Sequence, residues 1–232
     1  WRAYVRERNV ATALDYGAST DWQKELERTA ISHAHNILFS SSKQHSGYRA
    51  SVTYANNQGV IQRNNMNRLA GSLTAYQTAW QGRLRFDEGI NANFDRWHPI
   101  DTRIFERMTN LQPTFPVLNP DGSYAQLNGT NTENPVELNT NRTDDKKRHR
   151  FLGYLKAELT LLEGLKATTN MSYEQNAVLG GLYKPTYARM EGQGEKGWGQ
   201  RTYGDYTNRQ IEAYLTYDRF FGKDHHLNLM GG

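Results

Sequence analysis

The chain has 232 residues, enough to bury a sizeable soluble core, yet only 37% of them belong to the hydrophobic set and the mean hydropathy is −0.85. It has no cysteine, which excludes a disulfide scaffold, a cysteine-ligated metal centre and a thiol nucleophile. The 28 basic residues are scattered among 24 acids for a net charge of +4, so no nucleic-acid partner is expected, and this near balance with 12% aromatics argues against disorder.

No run of 18 apolar residues occurs, so no transmembrane helix is expected, and the opening WRAYVRERNV carries neither an initiator methionine nor a leader. Alternation with a period of two instead predicts eight strands, at 33–40, 48–55, 67–78, 83–94, 147–160, 165–177, 207–218 and 226–232. The second places Tyr48, Ala50, Val52 and Tyr54 on one side and Arg49, Ser51 and Thr53 on the other. In the fourth, Leu84, Phe86, Ile90, Ala92 and Phe94 share a face that Glu88 interrupts. The fifth sets Phe151, Leu155, Ala157 and Leu159 against Tyr154, Lys156, Glu158 and Thr160, and the seventh repeats the pattern with Ile211, Ala213, Leu215 and Tyr217.

The connections sort by length. Those at 41–47, 79–82, 161–164 and 219–225 are short, and those at 56–66, 95–146 and 178–206 are longer. A soluble sandwich has no reason to alternate its loops in this way, and the 95–146 connection is far longer than compact domains use. A membrane meander has one, because tight turns face one side of the bilayer and long loops the other. The fold expected is therefore all-β, an antiparallel up-and-down transmembrane barrel whose long loops 95–146 and 178–206 face outward. Aromatics at Phe39, Tyr48, Trp80, Tyr217, Phe220 and Phe221 beside short connections, and at Tyr54, Phe94, Trp97 and Tyr173 near long ones, suit two interfacial girdles.

Several segments resemble the barrel of the SusC/RagA family of TonB-dependent outer-membrane transporters: TDWQKELERTAISHAHNILFS, then YRASVTYANNQGVI and RLAGSLTA, and the loop pieces PVLNPDGSY (116–124) and NPVEL (134–138). SSSKQHSG at 40–47 departs from the family, which usually places a Gly-Gly turn there. The resemblance implies that residues 1–232 are part of one barrel domain, about eight strands of a larger plugged barrel, with the plug and remaining strands lying outside this sequence. It further implies a multi-pass protein of the outer membrane, in contact with its lipid. Such a protein works with a SusD-like surface lipoprotein and with TonB acting through the plug, imports glycans or oligopeptides, and is compatible with a dimer of transporter–lipoprotein pairs. Rival readings are a passive porin, a closed eight-stranded barrel and a soluble all-β carbohydrate-binding module.

No catalytic constellation is present, and neither a cofactor nor a metal is expected. GQGEKG at 192–197 matches a dinucleotide fingerprint only on paper, since no strand-to-helix context surrounds it. His33 and His35 fall on one strand face without an evident third ligand. RTDDKKRHR (142–150) reads as the solvated base of the long loop. The candidate ligand contacts are the loop aromatics Trp97, Tyr124, Tyr183, Tyr187, Trp198 and Tyr203, whose rings could stack on sugars or apolar side chains. Arg83, Arg85, Asp87, Glu158 and Glu212, on the polar side of their strands, are the candidate lumen-facing residues.

Overall fold

Eight strands form one antiparallel sheet in sequence order: β1 (His33–Ser42), β2 (Ser46–Gln58), β3 (Asn65–Ala79), β4 (Leu84–His98), β5 (Thr143–Leu162), β6 (Leu165–Lys184), β7 (Trp198–Phe221) and β8 (His225–Gly231). Short helices among the described residues include α1 (Trp22–Leu26), α2 (Arg103–Asn110) and α3 (Pro135–Asn141). The computed structural model describes residues 15–126, 133–188 and 197–232, together with Ala3 and Glu7; most of GQGEKG therefore lies outside the described residues. Every strand pairs with its sequence neighbour, and among the described residues β1 and β8 do not pair with each other. This excludes a closed eight-stranded barrel for this chain, and the single sheet shows no second layer of a sandwich.

All eight expected strands are present, and most are longer than their alternation suggests. β5 begins at Thr143 and β7 at Trp198, so the long connections occupy 99–142 and 185–197 where 95–146 and 178–206 were expected. The basic run RTDDKKRHR is thus mostly strand and not loop. The reason is that hydrogen bonds between strands need no side-chain pattern. Beyond the apolar zone both faces are polar, and alternation stops marking a ladder that continues.

The short connections tighten to 43–45, 163–164 and 222–224, and the four-residue one shifts to 80–83. Gly164 takes φ +81°, and a Cβ there would sit 2.7 Å from the Asp218 carbonyl oxygen, whose own amide donates to the Gly164 carbonyl at 2.8 Å. The 80–83 turn holds Trp80, Gln81 and Gly82 all at positive φ, closed by the Gly82 amide on the Ala79 carbonyl at 3.1 Å.

The buried apolar core lies outside the sheet. Trp22, Leu111, Phe115 and Ala125 form one cluster and Leu26, Ile61, Ile104 and Leu138 another, none of them on a strand. The alternating apolar residues of the strands are instead exposed: Ile37, Val52, Leu69, Ile90, Phe94 and Ile211 each leave 47–74% of their surface open. A contiguous apolar face of this size is not stable against water.

Candidate functional site: a two-faced wall and its outer cap

Register assigns each strand residue to a face. One cross-sheet row on the apolar face reads Tyr54, Leu69, Phe94, His149, Ala177 and Asp205 from β2 to β7. On β2 the apolar run of this face ends at Tyr54, on β4 at Phe94 and on β5 at Phe151. On β6 Gln175 interrupts it after Tyr173, with Ala177 and Leu179 resuming beyond, and on β7 it ends at Ile211, six residues nearer the short turns than Asp205. The band therefore descends about 20 Å across five strand spacings of about 24 Å in all, a slope of about 40°. Strands of membrane barrels tilt by about 35–45°, so a flat slab of hydrocarbon would wet this diagonal band and no other. Glu88 is the one charged residue inside it.

Of the expected girdle aromatics, Phe39, Tyr48, Tyr54, Phe94, Tyr173 and Tyr217 lie on this face, whereas Trp97 and Phe220 lie on the other. His33 and His35 share the apolar face at its outer edge, their ring centroids 5.2 Å apart.

The opposite face is polar and carries the charged residues singled out above. Arg85 is opposed to Glu158, Asp87 to Lys156, and Asn170 beside Lys156 to Glu212, so these four expected lumen residues share one face near the short-turn end. Arg85 grips Asp87 at 2.6 Å and Lys166 grips Glu158 at 2.8 Å. Arg83 lies in the 80–83 turn instead, donating to the carbonyls of Thr160 and Leu161 at 3.3 and 2.7 Å, where it ties two strand ends together.

Toward the outer end, Asp95 is buried between arginines of both neighbouring strands: Arg68 Nε donates to it at 2.7 Å and Arg148 Nε at 3.0 Å. The Arg148 guanidinium lies over the Trp97 ring at 5.8 Å, and Lys184 Nζ over Trp198 at 5.2 Å. Alternation marks Arg68 and Asp95 only as polar positions; nothing in the sequence brings Arg148 to them from 53 residues away.

Charge is unevenly divided along this face. From the row Arg49, Thr74, Gly89, Tyr154 outward, Arg49, Arg68, Lys146, Arg148, Arg150 and Lys184 face Asp95, Asp144 and Glu174, an excess of three positive charges. On the short-turn side of that row, Arg85, Lys156 and Lys166 meet Asp87, Glu158, Glu212 and Asp218. A wall built this way presents a field that draws anions to its outer half.

The 99–142 connection folds into a cap over that end. α1, α2, α3 and the 59–64 loop enclose the two clusters that form the buried apolar core. Asp21 caps α1 by accepting from the Lys24 amide at 3.1 Å, and the Trp22 indole N–H donates to the Gln112 carbonyl at 3.2 Å. Asn119-Pro120-Asp121-Gly122 makes the turn of PVLNPDGSY, with Gly122 at φ +81°. Asn134 of NPVEL caps α3 through Oδ1, accepting from the amides of Val136 and Glu137, while its Nδ2 donates to the carbonyls of Val117 and Ala125 at 2.9 and 3.1 Å. Most of the segments that carry the family resemblance therefore hold this cap together.

Asp101, at the hinge of the cap, is nearly buried and bonded by Arg103 Nη2 at 2.6 Å and by Arg142. Burial pushes its carboxyl up, but the hydrogen bonds from Arg103 and the charges of Arg142 and Arg103 outweigh that and hold it below the usual carboxylate range.

The six candidate ligand aromatics do not converge. Tyr124 pairs with Leu118 inside the cap and Tyr187 lies in the 185–197 connection. The other four are on strands: Trp97 and Trp198 on the polar face, Tyr183 and Tyr203 on the opposite one.

No family model matches the sequence. The chain is 26% identical over 226 residues to TonB-dependent receptor P3 of Formosa agariphila, a match covering 93% of this chain and 22% of that protein. It is 28% identical over 116 residues to TonB-dependent receptor SusC of Bacteroides thetaiotaomicron, covering 48% and 11% respectively. Among solved structures it superposes on the RagAB peptide transporter with a TM-score of 0.76 at 16% identity, and on the closed-closed state of the RagAB peptide importer with 0.73 at 17%. Each covers 93% of this chain, which spans about a quarter of the length of the matched chain. Sequence likeness along almost the whole chain to a TonB-dependent receptor, with the fold shared with the RagAB structures, makes it similar to a segment of barrel wall from SusC/RagA-type TonB-dependent transporters.

Proposed function

We propose that residues 1–232 form part of the wall of one outer-membrane barrel domain that imports glycans or oligopeptides. In this reading the apolar face meets outer-membrane lipid, and the polar face lines a lumen in which Arg85, Asp87, Glu158 and Glu212 hold the plug. TonB acts on that plug, and a SusD-like lipoprotein closes over the outer end, with a dimer of such pairs as the assembly. The matched relatives carry TonB-dependent receptor names, and the RagAB structures are of a peptide importer, which supports import over passive diffusion. The work done is capture, enclosure and release, without making or breaking bonds.

One observation carries the reading: the exposed apolar band slopes across the sheet at the tilt of a membrane strand. Nitroxide labels on the full-length protein in its outer membrane, in a background freed of other cysteines, test it. Labels at Val52, Ile90 and Leu155 are expected to be open to oxygen and closed to a polar relaxant, and labels at Ser51 and Asn91 the reverse. Water contact at all five positions would overturn the assignment of faces.

A further inference from the structure

The polar face carries a recognition pattern that the wall function does not use. Trp97 on β4 stands directly across from Lys146 on β5 and stacks with Arg148 two residues further along that strand. Lys146 has no ion-pair partner among the described residues. Three strands away on the same face, Trp198 stacks with Lys184 at 5.2 Å. The two indole–cation pairs are thus repeated at a spacing of about 20 Å, from three strand spacings and four residues along the strand.

An indole offers a flat apolar platform with no demand for hydrogen bonds, and an ammonium beside it offers a point charge. A ligand that suits both has an apolar ring face and an anionic substituent on the same unit, and a ligand that suits both pairs repeats that unit. A pyranose bearing a carboxylate or a sulfate meets that description. A peptide offers neither a regular ring nor a regular anion. The excess of positive charge on this outer half adds attraction at a distance, falling with salt.

We infer that the outer half of the polar face is a binding surface for acidic oligosaccharides, with Trp97 and Trp198 as stacking platforms and Lys146 as the anion contact. The inference rests on the proposed import function and gives it a cargo class. Both carboxylated and sulfated sugars fit the chemistry.

Titration calorimetry on the purified full-length transporter is the test. The probes are an oligogalacturonate, a sulfated galactan oligosaccharide, a neutral maltooligosaccharide and an oligoglutamate of matched length. At least one acidic sugar is expected to bind about tenfold or more tightly than the neutral one and to weaken with added salt. Which of the two binds distinguishes carboxylate from sulfate. Lys146→Gln and Trp97→Ala are each expected to cost about tenfold in affinity, with Trp97→Tyr recovering part of the loss. Lys223→Gln, in the 222–224 turn at the far end, should leave affinity unchanged. Equal binding of the neutral sugar, preference for oligoglutamate, or insensitivity to both substitutions would overturn the inference. If none of the four probes binds while the labels still report water on this face, the cargo assignment fails and the wall reading stands.

Discussion

Asn134 shows how much one side chain can decide. Its Oδ1 serves two amides at the start of α3 and its Nδ2 serves two carbonyls from the strap at 117–125, and only a primary amide supplies both kinds of group at that reach. Asn134→Ala removes a helix cap and takes the side-chain donor from the buried Ala125 carbonyl, whereas the Val117 carbonyl keeps the Ala125 amide, so the cap should lose about 2–4 kcal/mol of local stability. Hydrogen exchange of the amides between 117 and 138 measures this. Asn134→Asp should lose no less, because it keeps the capping oxygen but turns a carboxylate oxygen toward those two carbonyls in a buried site. Asp101 carries a pH dependence of known sign. Its carboxyl is held below its unfolded value near about 3.9, so its contribution is present above that pH and is lost as pH falls through the lower folded value. Exchange protection of 99–142 should therefore drop in acid below about pH 4, and Asp101→Asn should remove that step along with part of the protection at neutral pH.

Strand positions follow from a rule with a limited range. Where one side of the ladder is apolar, alternation locates each strand to within a few residues, as in β1 and β4. Past the edge of the band the rule has nothing to report, which is why Thr143–Lys146 and Trp198–Tyr206 of β5 and β7 carried no strand signal despite full pairing with β6. The same limit explains Trp97 and Trp198, which looked like loop residues and stand on strands. The places of the short turns were more legible. Gly164 occupies a backbone conformation that side chains rarely adopt and faces the Asp218 carbonyl. Gly164→Ala should cost about 1–3 kcal/mol and lower the yield of heat-modifiable barrel on gels of assembled outer membranes.

At the scale of the molecule, the apolar core and the apolar surface are separate objects. The core belongs to the cap, while the sheet exposes its own apolar residues. This arrangement makes the two faces of one strand respond in opposite ways to the same charge. Leu155→Arg, in the middle of the band, should destabilise the full-length barrel in bilayers by about 2–4 kcal/mol. Leu152→Arg, three residues away on the polar face, should cost far less. Urea unfolding in liposomes compares them directly, and equal penalties would contradict the division into lipid-facing and water-facing sides.

Local chemistry in the sequence was sufficient for the number of strands, their order, the alternation of short and long connections and the identity of the greasy face, because each depends on residues near one another in the chain. Tertiary structure alone decided the meeting of Arg68, Asp95 and Arg148, the folding of the long connection into a cap around Trp22 and Ile104, and the slope of the apolar band. Those depend on register between strands far apart in sequence, and register is a property of the paired sheet that no single strand contains.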